Sequence, residues 1–298
     1  MFITCYILLL EAEMNNIILS TDTSSDLTKE IVSKNNINII KFEYFVNGNS
    51  YKNDNDLSST EFYNNMEKGA DVKTSQINYF DAKEYLENLF KTGNDILHIC
   101  FSSGLSGTYD NFAKAAEELN EKYTNKCVVV DSLCAAGGEG LLVLLAKEKL
   151  KNEEISLEDL AIYIEEIKLK LNHIFTVNDL KYLVKGGRVS KTSAFIANFL
   201  RIKPTLYVDN LGKLAVSGKV FGRKMAINKL FQTMKKNYDK NYTEVLISHA
   251  NCKEDAHTLA GMIKEEFNVN AKILPLSFVI GCHSGPGTLA VFYIGNKR

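Results

Sequence analysis

Asp95-Ile-Leu-His-Ile-Cys-Phe101, Ser102-Ser-Gly-Leu-Ser-Gly-Thr108 and Lys126-Cys-Val-Val-Val-Asp131 are the stretches that decide the fold. The first and last are apolar runs of strand length. Between them Phe112, Ala115, Ala116, Leu119 and Tyr123 recur at helical spacing, with charges on the other face. Strand, helix and strand in that order predict a βαβ unit and a parallel sheet. Working outward, strands are expected at 17–21 and 37–46, and a helix at Leu141–Leu150. From about residue 170 the pattern changes. Strands are expected at 173–177, 204–208, 213–217, 243–249, 269–275 and 288–294, and helices at 190–200, 222–236 and 253–266. Asp209-Asn-Leu-Gly212 reads as a hairpin turn. The fold class is therefore α/β: two α/β domains, the first with a mostly parallel sheet, the second a mixed or antiparallel layer domain. The expected limits are 14–165 and 166–298, and charge density alone makes 150–158 the expected linker. Met14 directly precedes the first strand, so residues 1–13 read as an upstream extension.

Composition removes several classes. The 298 residues carry 35 Lys+Arg against 36 Asp+Glu, a net charge of -1, which excludes a uniformly basic chain that coats nucleic acid. With 18 Gly, 3 Pro and no low-complexity tract, the chain is neither collagen-like nor disordered. Six cysteines without a CxxC pair read as thiols of a reducing cytoplasm. The apolar run Phe2–Leu10 falls short of the roughly 20 residues a spanning helix needs. It also lacks the basic start and cleavage site of a signal peptide. A cytoplasmic protein with no stable membrane insertion is expected. The charge is unevenly spread, because residues 179–240 hold fourteen Lys/Arg, three Asp and no Glu. A solvated basic face and an anionic partner or substrate are both consistent with that run.

The chemistry-bearing segments are loops. Ser102–Thr108 joins a strand to a helix, where open α/β sheets bind ligands and free helix N–H groups suit an anion. It is neither a phosphate-binding loop ending in GK[ST] nor a G-x-S-x-G elbow, and a helix capped by Ser106 or Thr108 is the plain alternative. Gly281-Cys-His-Ser-Gly-Pro-Gly-Thr288 is a stiff turn that fixes His283 as a hydrogen-bond donor, a base or a structural group. Asp22, Ser24, Ser25 and Asp26 form one acidic turn and Asp131-Ser132 another. Both suit either helix caps or magnesium ligands. Gly186-Gly-Arg188 reads as a helix end or as an anion contact.

Taken in order, Thr21-Asp-Thr-Ser-Ser-Asp26, Lys73-Thr-Ser-Gln76, Ser102–Thr108, Val130-Asp-Ser132, Leu183-Val-Lys-Gly-Gly-Arg188, Ile202-Lys-Pro204, Gly222-Arg-Lys224 and His283-Ser-Gly-Pro-Gly287 resemble the successive signatures of the DegV family over about residues 15–296. The resemblance implies two α/β domains holding a long-chain fatty acid in the cleft between them. It further implies a lipid-binding subunit of bacterial fatty acid kinase, which presents the carboxylate to a separate ATP-binding partner that makes the acyl phosphate. Such a subunit has no catalytic set, cofactor or metal of its own. By the same resemblance Thr74, Ser103 and His283 contact the carboxylate, with Ser75, Ser102 and Arg188 as further candidates. Arg223 and Lys224 are the expected partner-docking residues. The chain departs from the family pattern at Thr28, Ile77, Phe221, Cys282 and Ser284. Two other readings compete: a serine hydrolase using Ser103 or Ser106 with His283, and a stand-alone lipid carrier or sensor.

Overall fold

The computed structural model describes residues 17–52, 57–190 and 201–298. The chain begins with β1 (Ile17–Asp22), a 3-10 turn at Thr23–Ser25, α1 (Lys29–Asn35), β2 (Asn38–Ile40), β3 (Glu43–Val46) and β4 (Asn49–Tyr51). It continues through α2 (Ser59–Glu67), β5 (Val72–Ser75), α3 (Tyr79–Phe90), β6 (Asp95–Cys100), α4 (Thr108–Lys122), β7 (Cys127–Asp131), α5 (Gly137–Asn152) and α6 (Leu157–Lys168). Strands β2, β1, β6 and β7 lie in that order in one sheet, and all three pairings are parallel. The unit read from 95–131 is β6–α4–β7.

The second half runs β8 (Leu171–Thr176), α7 (Lys181–Lys185), β9 (Ile202–Val208), β10 (Leu214–Phe221), α8 (Arg223–Asn237) and β11 (Leu246–His249). It ends with α9 (Lys253–Phe267), β12 (Lys272–Pro275), α10 (Phe278–Ser284) and β13 (Leu289–Ile294). Its sheet has the order β10-β9-β8-β13-β11-β12, antiparallel throughout except for β11 with β12. The expected hairpin joins β9 to β10, and Asp209 Oδ1 accepts from the backbone of Leu211 and Lys213, both at 2.9 Å. The helix expected at 190–200 and the extension 1–13 fall outside the described residues, apart from Ser190.

One strand expectation is corrected. The run 37–46 is two strands, because the chain turns at Lys41-Phe42. β2 joins the parallel sheet, while β3 joins a small antiparallel sheet of order β4-β3-β5. The Phe42 N–H leaves any ladder and donates to Thr23 Oγ1 at 3.0 Å, and its buried ring packs edge-on against Phe101. Burial of that one ring redirects a segment whose strand propensity is continuous.

Helix α5 packs against strands of both large sheets. Its first turns are buried all round, which explains why Leu141–Leu150 reads as apolar without a clear polar face. Close approach depends on Gly138, where an added Cβ would lie 2.1 Å from His173 Nε2 on β8. α6 packs on β6 and β7, and the chain passes to the mixed sheet between Lys168 and Leu171. Among the described residues no helix is long and apolar enough to cross a membrane.

Candidate functional site

Loops from the carboxyl end of the parallel sheet, the small sheet and the mixed sheet surround one cavity of about 500 Å³. Clefts of this kind at strand carboxyl ends are the usual ligand sites of open α/β folds. Most of its wall is apolar: Phe42, Phe101, Phe175, Leu214, Val279 and Phe292 are among the lining residues. Its polar lining includes Thr74, Ser75, Ser103, Arg188 and His283.

Each polar group arrives on a different element. Thr74 and Ser75 end β5, which pairs with β3 in the register Tyr44 to Thr74. His283 sits in the last turn of α10. Their side chains meet, with Thr74 Oγ1 2.7 Å from His283 Nε2 across 209 residues of sequence. Gly186 makes room for this arrangement, since a Cβ there would come within 2.3 Å of His283 Nδ1. Burial, with the Arg188 charge nearby, pushes the His283 imidazole down to about 4, so it is neutral at pH 7. Arg188 leaves the tight turn after α7 and spans the cleft, donating from Nε to the Leu105 carbonyl at 3.2 Å and from Nη1 to the Gly186 carbonyl at 2.5 Å. The Ser103 backbone N–H is held by Asp131 Oδ1 at 3.1 Å, and its exposed side chain stands at the cavity wall.

The structure does not bring every candidate together. Ser102 is fully buried and absent from the cavity wall. Its hydroxyl donates to the Gly212 carbonyl at 2.9 Å and so ties the 102–108 loop to the β9–β10 hairpin. Ser106 lines the cavity, but its hydroxyl is engaged with Thr108 Oγ1 at 2.9 Å and accepts from the Thr108 N–H at 3.3 Å. The expected cap by Ser106 or Thr108 is corrected: the N-cap of α4 is Gly107, which has no side chain to cap with, and Thr108 is the first helical residue. Because His283 Nε2 meets Thr74, it meets neither Ser103 nor Ser106, and the nucleophile–base contact a serine hydrolase requires is not formed.

Arg223 is likewise engaged within the fold. Its Nε lies 2.7 Å from Asp255 Oδ2 and its Nη2 donates to Cys252 Sγ at 3.3 Å, whereas Lys224 beside it is exposed. Other cations of the 179–240 run also have local partners: Lys185 pairs with Asp71 and Lys235 with Glu266.

The acidic turns act as caps and clamps. Asp22 accepts from the Ser24 N–H at 2.8 Å and the Phe101 N–H at 3.1 Å, and Asp131 Oδ1 accepts from Leu133 as well as Ser103. Asp26, which burial lifts to about 7, accepts at 2.8 Å from the N–H of Ser277, the residue that starts α10. Asp26 thereby fixes the helix that carries His283. Among the described residues no group of three or more His, Cys, Asp or Glu side chains is placed to hold a metal.

Sequence reasoning missed two of the supporting groups. Glu139 is wholly buried in α5, where it accepts from Thr21 Oγ1 at 2.7 Å. A lone carboxylate in the run Gly137-Gly-Glu-Gly-Leu-Leu was the available signal. His173 lines the cavity and accepts from the Ala135 N–H at 3.2 Å, and nothing in its local sequence distinguishes it from a core histidine.

Comparison with known proteins agrees with this architecture. A family model described as uncharacterised protein, DegV family, matches residues 16–296. A DegV domain-containing protein of Clostridium perfringens is 39% identical over 290 residues, covering 96% of this chain and 99% of that one. Among solved structures, DegV of Bacillus subtilis, described as a fatty acid binding protein, superposes with a TM-score of 0.81 at 28% identity, covering 95% of this chain and 100% of the other. A fatty acid binding DegV family protein of Streptococcus agalactiae gives 0.82 at 27%, covering 95% and 99%. With the family model matched over residues 16–296 and 96% of its length covered by a relative 39% identical to it, this chain belongs to the DegV family.

Proposed function

We propose that the chain binds one long-chain fatty acid in this cavity and presents its carboxylate to a separate ATP-dependent kinase subunit. The observation that carries the reading is the Thr74–His283 contact on the wall of an otherwise largely apolar cleft. Each methylene removed from water contributes roughly 0.8 kcal/mol, so about a dozen give a gross term near 10. Association and ordering costs offset much of that term. At the head group Thr74, Ser103 and Ser75 supply hydroxyls, His283 a neutral imidazole and Arg188 a cation. Together these groups fix the orientation of the carboxylate, and aiming it lowers the barrier to transfer. In the proposed reaction a carboxylate oxygen bonds to the γ-phosphorus of ATP on the partner, the bond to the ADP oxygen breaks, and acyl phosphate forms. Solved structures with the same fold, described as fatty acid binding, support the ligand class.

For the partner surface the proposal rests on exposed Lys224, with Arg223 holding the start of α9 in place. Reversing Lys224→Glu should slow acyl phosphate formation with the kinase subunit and leave the affinity for palmitate unchanged. The wild-type rate should fall as salt rises from about 50 to about 200 mM, since exposed charges are screened over about 8–10 Å. A variant rate equal to wild type across that range would place the docking surface elsewhere.

A further inference from the structure

Ala136, the residue before α5, holds a backbone conformation that alanine disfavours, with φ 56° and ψ -146°. A Cβ is crowded there, and glycine is the residue that adopts it freely. Gly137 and Gly138 follow directly, yet neither has a positive φ. Alanine thus stands at the position where glycine would be unstrained. The conformation is held from both sides. The Ala135 N–H donates to His173 Nε2 at 3.2 Å, and the carbonyls of Ala135 and Ala136 accept from the N–H groups of Gly138 at 3.1 Å and Gly140 at 3.3 Å. Strain of this kind is concentrated at ligand sites, where the surrounding structure over-determines it.

Strand register shows where along the cavity Ala136 lies. Thr288, just before β13, donates from its hydroxyl to the carbonyls of Ser284 at 3.1 Å and Gly285 at 2.8 Å, beside His283. Ala290 and Phe292 follow at strand spacing and also line the cavity, which puts Phe292 about 13 Å beyond Thr288. On β8, Phe175 is in register with Ala290 and His173 with Phe292. Ala136 belongs to the Phe292 end, away from the polar groups. The adjoining Gly137 abuts that ring, where an added Cβ would lie 2.8 Å from Phe292 Cδ2, and the preceding Ala135 is bonded to His173. Ala136 is itself 5% exposed, lines the cavity and packs in one hydrophobic cluster with Phe175, Ala290 and Phe292. The rings behind it cannot retreat, since His173 and Phe292 stand edge-on at 5.4 Å and both press on the glycines that open α5.

We propose that Ala136 sets the length of acyl chain the protein accepts, its methyl group forming the floor that the end of the chain meets. The inference rests on the fatty acid reading above. It is tested by measuring the affinities of saturated fatty acids from myristate to arachidate, in single-methylene steps, for wild type and Ala136→Gly. Wild-type affinity should rise about fourfold per methylene up to an optimum and then fall, as the chain meets the floor. Removing the methyl makes room for about one more methylene, so the optimum of Ala136→Gly should move to the next longer acid. At that length the variant should bind at least about fourfold more tightly than wild type, and at shorter lengths within about twofold of it. The ligand-free variant should melt no lower than wild type, because glycine relieves the backbone, so the shift does not come from a loosened fold. An unchanged optimum, or an equal change in affinity at every chain length, would overturn the assignment and leave the fatty acid reading intact. Wild-type protein that binds none of these acids would overturn both.

Discussion

Glu139→Gln should match wild type in stability near pH 5 and become progressively more stable than wild type toward pH 8. Glu139→Ala should lose about 1–3 kcal/mol near pH 5, because the buried Thr21 hydroxyl is left without an acceptor, and less toward pH 8. The reason lies in a proton count. The Ser24 hydroxyl lies 2.6 Å from Asp22 Oδ1 and 2.7 Å from Glu139 Oε2, but it has one hydrogen to give. The other contact needs a proton on a carboxyl. Burial holds both carboxyls above the usual carboxylate range, so the folded pair keeps a proton that the unfolded chain releases. Native protein then binds more protons than unfolded protein. The wild-type contribution is full below the ordinary values of 3.8 and 4.5, and it is lost as pH rises through the raised ones. The slope is at most about 1.4 kcal/mol per pH unit. A glutamine amide supplies that hydrogen permanently and carries no slope. Opposite slopes from buried His98, His173 and His283 cancel in the comparison, since both proteins contain them. Parallel denaturant titrations of the variants from about pH 5 to about pH 8 measure the difference directly. Parallel pH profiles for Glu139→Gln and wild type would rule out the shared proton.

Ala290→Phe should abolish palmitate binding while leaving the protein folded. Ala290 lies on β13 in register with Phe175 and Ser248, and its side chain is on the cavity wall. A benzyl group there occupies space the acyl chain would need. Displacing about five methylenes forfeits roughly 4 kcal/mol, on the order of a thousandfold in affinity. The ring enters an existing cavity of about 500 Å³, so the stability cost should stay at the low end of the about 1–3 kcal/mol typical of overpacking. Isothermal titration with palmitate, paired with thermal melts of the ligand-free variant, separates the two effects. Wild-type affinity in a folded Ala290→Phe protein would mean that the chain lies elsewhere.

The parallel half of the fold was legible because β6–α4–β7 is local, with each period undisturbed over a full element. The break at Phe42 was not, since a tertiary ring contact turns a continuous strand-forming run. β5 was missed for a related reason: Val72–Ser75 is short, polar and paired only within a three-stranded sheet. At the site, the resemblance pointed to Thr74 and His283, and the structure brings them together across the chain. It put Ser103 ahead of Ser102, and in the structure Ser103 lines the cavity while buried Ser102 ties its loop to the β9–β10 hairpin. Nor could the basic run show that Arg223 belongs to an ion pair, since Asp255 lies 32 residues away on another helix. Glu139 was obscured because it is submerged in an apolar helix.

The central claim is that the cavity holds a fatty acid, and extraction of the purified protein tests it most directly. Protein isolated without detergent should release, on denaturation, about one long-chain fatty acid per chain by mass spectrometry, as expected for one enclosed site. Ala290→Phe prepared identically should release almost none. Wild-type protein that emerges empty, and that also fails to take up added palmitate, would contradict the account.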